Sequence, residues 1–563
     1  MARRRGVNAS VVFVAVTAVV TALTGTRAVA TTGPSVASQN PSPYATPGCL
    51  ALDNQPGSLS YLNSEVEPQV AIDPTNPLHL VGAWQQDRWS NGGSHGLVAG
   101  YSKDGGRTWT VSPEPFSVCY HASGYAGAFL NYQRASDPWT SIGPGTPGSP
   151  SSGSTAYASS LSFDHTAFLN DANGTHNAVG AASSYDGGAT WSHVQPIIAD
   201  PCTVGTPSGP GFQCNNDGAF LFNDKNSVTA DPVHPGVAYQ VWDRLVAPPA
   251  SAVGFEHERA SFGPALMSKT VDFGATWSVP QIIVGTVSQD QTIGNQIVID
   301  RQTGALYDFF NLFQGASSAG GHRGSNVAFV KSADGGATWT RPTVVASIES
   351  AGVSDPNNLS PSTNAPPARA RTGDSLPEAA IDPTSGRLYA VWQDARFNNF
   401  VKDEVVISTS SDGGTTWSTP QRVNEGTGQP AFDPSVYVNA HGVVGVSYFQ
   451  WGSTSAGQEP TTLLIRHATR PSRAAGPIFD APSLLDGPFN NLAAPVARGY
   501  FLGDYQGLVA DDAGFIPFYV RTNCADGGPG TQPSCRAIQS VLDPTDRTPT
   551  RNDATGVYAR TGS

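Results

Sequence analysis

Three features of the sequence predict an all-β fold built from repeated four-stranded units. An eight-residue turn of the form [Ser/Thr]-x-Asp-x-Gly-x-Thr-Trp is written five times, at 102–109, 184–191, 270–277, 332–339 and 410–417. A strand-like segment recurs in register seven times, starting at 67–73 and returning at 137–143, 225–231, 294–300, 376–382, 433–439 and 505–511. The composition, 61 Gly and 45 Pro against 2 Met, supplies turn clusters between short apolar runs.

Each turn has the parts of a tight hairpin. Its aspartate (Asp104, Asp186, Asp272, Asp334 or Asp412) can accept backbone N–H bonds of its own turn, the glycine takes φ > 0, and the tryptophan buries its ring. A carboxylate satisfied in this way in five equivalent copies is structural, not catalytic. The aspartates lie 82, 86, 62 and 78 residues apart, room for one four-stranded unit plus loops, and repetition at such a period marks a solenoid, propeller or array. The turns resemble the Asp boxes (BNR repeats) of sialidase-like β-propellers, in which each box joins the third and fourth strands of a blade. That resemblance implies a single β-propeller of four-stranded blades. The seven segment starts put the count at seven blades, with six the alternative because sialidases have six.

Taken in order, residues 1–30 form a secretory signal peptide: Arg3, Arg4 and Arg5 precede an apolar run from Val11 to Leu23, and Ala28-Val29-Ala30 is a small-residue cleavage site. Residues 31–48, rich in Ser, Pro, Thr and Gly, are expected to be a disordered leader. The propeller is expected over 49–544. Its last unit takes 514–520 as second strand, 537–542 as third, and a fourth from 50–62 that closes the ring and removes an open edge. Residues 545–563 read as a flexible polar tail. No further stretch of about 18 apolar residues follows the signal peptide, so no membrane span is expected. Cys202 with Cys214 and Cys524 with Cys535 are spaced as local staples, which leaves Cys49 with Cys119, one pairing scheme of 15 for these six cysteines. A balance of 31 basic against 44 acidic residues, without a Lys/Arg-rich run, excludes nucleic acid as a natural partner.

Because strands alternate direction, first-strand starts and the loops between second and third strands share one end of a propeller, and the repeated turns share the other with Asp73, Asp231 and Asp382. The first end is where side chains of different blades can meet a ligand. Second strands end in Trp84-Gln-Gln-Asp87-Arg88, Trp242-Asp243-Arg244 and Trp392-Gln-Asp394-Ala-Arg396, and the last unit has Tyr519-Val-Arg521. Arg88, Arg244, Arg396 and Arg521 are candidates to bind an anionic or hydroxyl-rich ligand, or else braces paired with neighbouring aspartates. Glu67 and Asp137 reach the same rim, with Lys225 and Asp433. Trp89, Trp139 and Trp451 are candidate sugar platforms, or simply core.

The stretch from Tyr505 through Leu508 to Gly514 resembles the last-blade segment that carries the tyrosine nucleophile of sialidases. The resemblance implies Tyr505 as nucleophile, Glu378 as the carboxylate that activates it, and Asp87, by its place in the first blade, as general acid/base. A phenol meets less repulsion from an anionic sugar than a carboxylate nucleophile would. Sialidases open the first blade with Arg-Ile-Pro; the matching stretch here is Glu65-Val66-Glu67-Pro68, an acid in the place of a cation. The expected protein is thus a secreted, monomeric, sialidase-like exo-glycosidase acting on an extracellular anionic glycan, free or retained at the cell wall. The alternatives are a non-catalytic propeller that binds polysaccharide or a protein through the same rim, and an envelope module that serves assembly. No cofactor or metal is expected; Asp217, Asn223 and Asp224 offer oxygen ligands for calcium but lack a recognisable loop spacing.

Overall fold

A computed structural model describes Met1 and residues 34–39, 41–53, 58–164, 176–200, 220–247, 262–287, 289–315, 322–354, 369–426, 428–452, 460–469, 476–512, 514–522, 550–552 and 555–559. Residues 2–30 of the expected signal peptide, both loop staples (Cys202 with Cys214, Cys524 with Cys535), Asp217 and the expected strand at 537–542 lie outside the described residues. Within them the chain is all-β, apart from short helices at Pro47–Leu50 and Val118–Ala122 and a 3-10 turn at Asn491–Ala493. No helix among the described residues is long and apolar enough to cross a membrane.

Most of the strands group into successive antiparallel arrays of the propeller type, apart from a three-stranded sheet of Val353–Ser354, Arg369–Arg371 and Tyr500–Phe501 and the strand Thr550–Asn552. Array one is Ser60–Asp73, Asn76–Trp89, Ser94–Ser102 and Thr110–Pro113; array two is Arg134–Thr146, Ser149–Phe163, Asn177–Ser184 and Ser192–Asp200. Array three is Phe220–Ala230, Ala238–Ala247, Ala265–Thr270 and Gln281–Val284; array four is Gln291–Ile299, Leu306–Gln314, Gly324–Ser332 and Thr343–Ser347. Array five is Glu378–Ile381, Leu388–Asp394, Glu404–Ser410 and Gln421–Arg422. Array six is Ala431–Val438, Val444–Trp451 and Pro460–Thr469, whose outer edge pairs both Ile478–Phe479 and Ser483–Asn490. Array seven is Gly507–Ala510, Phe515–Thr522, Thr555–Ala559 and Ser35–Val36. First strands touch one another in this order, and that of array seven returns to that of array one. Their inward faces wall a central channel of about 520 Å³ that ends near Asp73, Arg301 and Asp511.

The last array corrects three expectations. Its fourth strand comes from Ser35–Val36, not from 50–62, and its third from Thr555–Ala559, inside the expected tail. The stretch expected to be a disordered leader is bound in place. Tyr44 is fully buried with its hydroxyl donating to the Leu97 carbonyl (2.7 Å), and a disulfide joins Cys49 to Cys119. An outer strand needs only a few backbone pairs, so a polar segment with no hydrophobic alternation can close the ring, and composition alone hides it.

The repeated turns hold the arrays together. In the copy at Asp186 the carboxylate accepts from Ser184 Oγ (2.8 Å), Thr190 N (2.9 Å) and Thr190 Oγ1 (2.7 Å), and the other four copies repeat the pattern. The glycine after it, Gly188, has φ 91°, and a Cβ there would press on Val81 and Tyr101 of array one. Gly274, Gly336 and Gly414 press in the same way on arrays two, three and four, while Trp109 packs on Phe518 of array seven (5.1 Å between centroids). The motif that folds each hairpin therefore also docks it on the preceding array.

Candidate active site

The end of the propeller opposite these turns carries a cluster of charges, and backbone irregularity puts it there. Five first strands slip register near their starts, at Val66/Gln69, Ser136/Trp139, Asp224/Ser227, Ile293/Gln296 and Phe432/Ser435. Each bulge holds one residue at positive φ: Glu67 (53°), Asp137 (51°), Lys225 (44°), Gly294 (74°) and Asp433 (45°). A bulge re-aims its side chain. Four of the five are charged, all four are buried, and they converge with Asp504 near the axis.

Lys225 is the hub. Its Nζ lies 2.8 Å from Asp504 Oδ2, 3.0 Å from Glu67 Oε1 and 3.4 Å from Asp137 Oδ1, and its backbone N–H donates to both Asp137 and Asp224 (3.0 Å each). Arg371 Nη2 binds Asp504 Oδ2 (3.0 Å), and its guanidinium lies 4.3 Å from the Phe501 ring. Arg88, also near Phe501 (4.9 Å), donates to Gln85 Oε1 (2.7 Å), and Gln85 Nε2 donates to Glu67. Gly373 lets a second backbone abut the cluster: a Cβ there would overlap the Asp504 carbonyl, and its N–H donates to Asp433 Oδ1 (2.9 Å). Glu67, Arg88, Asp137, Asp224, Lys225 and Arg371 line a cavity of about 20 Å³, the room of one water.

Burial and the hub split the proton affinities of these acids. Burial pushes Glu67 up to about 8 against the pull of Lys225. Burial also opposes ionisation of Asp137, but Lys225 and a hydrogen bond from Asp224 outweigh it and hold Asp137 below the usual carboxylate range. Asp224 is driven well above that range by burial and by the neighbouring Asp137 and Asp243 charges. Burial alone would lower Lys225, yet the surrounding acids raise it well above the ordinary lysine value. At neutral pH an ionised Asp137 therefore faces a protonated Glu67, and Asp224 is shifted in the same direction as Glu67. Two titratable groups pushed apart in this way are equipped as base and acid.

The expected catalytic trio is assembled only in part: Tyr505 lies on the charged cluster, with Lys225 Nζ 5.6 Å from its ring, while Asp87 is engaged elsewhere. Tyr505 is buried, packs on Trp139 (5.3 Å between centroids) and donates its hydroxyl to the Pro138 carbonyl (3.2 Å), not to a carboxylate. Glu378 faces the central channel, takes a long hydrogen bond from Gln296 (3.5 Å) and is raised to about 8 by burial. Asp87 is wholly buried and spent on the N-terminal segment: it accepts from Ser42 Oγ (2.7 Å), Asn63 N (2.7 Å) and His95 Nδ1 (3.1 Å). Of the expected substrate binders, Glu67, Asp137 and Arg88 reach the cluster. Arg244 pairs with Asp200 (2.6 Å) and Arg521 with Asp486 (2.9 Å) across strands, and Arg396 pairs with Asp394 two residues before it (2.7 Å) and reaches the Ser347 carbonyl (2.6 Å), so these three are braces. Trp89 and Trp451 are core. Asn223 holds Asn177 and Asp200, and among the described residues no three His, Cys, Asp or Glu side chains are grouped to hold a metal ion. Sequence reasoning missed Asp504, Arg371 and the place of Asp224 beside Asp137. Only the Gly503-Asp504 pair beside Tyr505 carried a signal for any of them.

The Asp87 knot has its own pH signature. His95 also reaches Asp53 Oδ1 (2.5 Å); burial opposes its charge, but the two carboxylates outweigh that and raise it to about 9. The folded value exceeds the free value of about 6.5, so this stabilisation is complete below about pH 6.5 and is lost as pH rises through about 9. Urea unfolding should show the advantage of the native chain over His95→Gln shrinking across that window; a gap independent of pH would refute the ion pair.

No known family model matches the chain, and no curated protein matches it. Solved structures resemble it at low identity. A protein of unknown function from Dyadobacter fermentans is 14% identical with a TM-score of 0.41, over 73% of this chain and 99% of that one. A Hadza microbial sialidase is 17% identical with a TM-score of 0.39, over 68% of this chain and 63% of its own length. A Penicillium chrysogenum α-L-arabinanase is 10% identical with a TM-score of 0.35, over 90% and 98%. None is close enough to transfer a residue role.

Proposed function

We propose that the chain is a seven-bladed β-propeller that cleaves glycosides outside the cytoplasm with the carboxyl groups around Lys225. The seven arrays with touching first strands support the blade count, and the Cys49–Cys119 disulfide supports an oxidising compartment. The observation that carries the chemistry is the opposed protonation of Asp137 and Glu67 on one ammonium. Glu67 protonates the leaving oxygen and Asp137 attacks the anomeric carbon. Asp224 donates to Asp137 and tunes it, while Arg88 and Arg371 set positive charge beside the acids. A sugar ring enters only if the wall of Leu161, Phe163 and Phe222 yields.

That closure favours one competing reading, a propeller that binds glycan at its rim and uses the cluster as an internal clamp. Assay of the full chain on aryl sialosides, uronides and arabinosides separates the two. Hydrolysis is expected, with Tyr505→Phe active within about three-fold of the native chain, because the lost hydroxyl served a backbone carbonyl. Collapse of Tyr505→Phe would restore tyrosine as nucleophile, and no turnover of any sugar would leave the binding reading.

A further inference from the structure

We infer that the loop between the second and third strands of array five, residues 395–403, is a preformed platform for a sugar ring, an outer subsite that rests on the glycan reading above. Antiparallel alternation puts this loop at the end of the propeller that holds the charged cluster. It displays Phe397 (42% exposed), Phe400 (61%) and Val401 (69%) side by side in sequence. Such exposure is unusual beside a core where Trp392, three residues before the loop, is fully buried.

The loop is held rigid in a costly shape. Asn399 and Phe400 both adopt positive φ, 61° and 60°, a conformation that a bulky side chain rarely takes and that persists only where surroundings enforce it. Enforcement is visible on every side. The Asn398 side chain accepts from Val401 N (3.0 Å) and Lys402 N (3.1 Å) and donates to the Lys402 carbonyl (2.5 Å); Phe400 N donates to the Ala395 carbonyl (3.0 Å); and Arg396 is clamped by Asp394 (2.7 Å) and the Ser347 carbonyl (2.6 Å). None of these bonds serves to bury the rings. The strain is spent on presenting them to solvent.

The loop is also wired to the charged cluster. Asp403, at its end, accepts from Gln393 Nε2 (2.9 Å), Gln393 Oε1 accepts from Asp433 N (2.9 Å), and Asp433 accepts from Gly373 N (2.9 Å), two residues from Arg371. A ligand lying outward from the acids along array five meets these rings next.

Size and charge choose the occupant. Three partly exposed side chains offer roughly 300 Å², taking about 200 Å² for each ring, whereas a stable protein interface takes about 800 Å² per partner. An anionic membrane surface would ask for a basic cluster, and the loop tip has only Lys402 beside Arg396, which Asp394 neutralises. A pyranose or furanose presents a flat C–H face of the width of one phenyl ring.

The test is affinity electrophoresis of the full chain through gels containing arabinan, xylan or polysialic acid, with Phe400→Asn, Phe400→Tyr and Phe397→Ala. Asparagine tolerates the left-handed backbone, so Phe400→Asn removes the ring without unfolding the loop. At least one polysaccharide should retard the native chain. Phe400→Asn should weaken that binding about ten-fold and Phe400→Tyr restore it, while turnover of small aryl glycosides stays within about two-fold. Retardation unchanged in Phe400→Asn, or absent for the native chain in all three gels, overturns the platform. Binding is read without turnover, so a Phe400 effect on retardation in a chain whose Glu67→Gln variant keeps native kcat would sink only the catalytic assignment.

Discussion

Glu67→Gln should lower kcat by about 10² to 10⁴-fold with little change in KM, the loss expected when a positioned general acid is removed. The substitution is mild for the fold. Glu67 is held at about 8, so at pH 7 it is already a neutral carboxyl group, and an amide of the same shape keeps one of its two acceptor contacts, from Lys225 to the single amide oxygen. What it cannot do is give up a proton. The pH profile makes the assignment specific. Activity needs protonated Glu67 and ionised Asp137, and Asp137 stays below the usual carboxylate range, so the native profile of kcat/KM should run flat through neutrality and fall as pH rises through about 8. In Glu67→Gln the residual activity should lose that alkaline limb. A variant with the same limb, or with native kcat, would show that the acid lies elsewhere, with Asp224 the next group to change.

The repeated turns and the recurring first strand were legible because both are local. A turn needs its serine, aspartate, glycine and threonine within eight residues, so the motif carries the whole of its physics. The starts at Glu67, Asp137, Lys225 and Asp433 were legible for the same reason. Their convergence was not, because it depends on bulges whose signature, a charged residue at positive φ, leaves no mark in a one-dimensional pattern. Arg244 and Arg521 misled because their partners are distant in sequence: Arg244 answers to Asp200, forty-four residues away, and Arg521 to Asp486, thirty-five away. Asp87 misled through position, since it sits where an acid is wanted yet meets Ser42 from an N-terminal segment that no repeat predicted, and His95 from the next strand of its own array. The closing strand at Ser35–Val36 is two residues long, too short for any periodicity to announce it.

Lys225→Met should destabilise the native state by about 3 to 5 kcal/mol, the cost of leaving buried charge without its partner. The methionine fills the space of the lysine stem but leaves Asp137 and Asp504 facing each other in a site where Asp137 is 2% exposed and Asp504 the same. Arg371 still reaches Asp504, so part of the charge stays compensated and the loss should fall short of complete unfolding. The sign of the pH dependence is fixed by what the variant removes. Without the ammonium the acids hold their protons to higher pH than in the unfolded chain, so the deficit is greatest at neutral pH. It should shrink as pH falls toward about 4, where the unfolded carboxylates are protonated as well. Denaturant titrations of both chains at several pH values read this directly. A deficit under about 1 kcal/mol at pH 7 would mean that the acids are hydrated rather than sealed around Lys225, and would shift the weight of the top of the propeller from electrostatic to apolar contacts. Because Lys225 also sets the ionisation of Asp137, the same variant should lose activity through its nucleophile even where it remains folded. A folded, fully active Lys225→Met would therefore contradict both the clamp and the chemistry assigned to it.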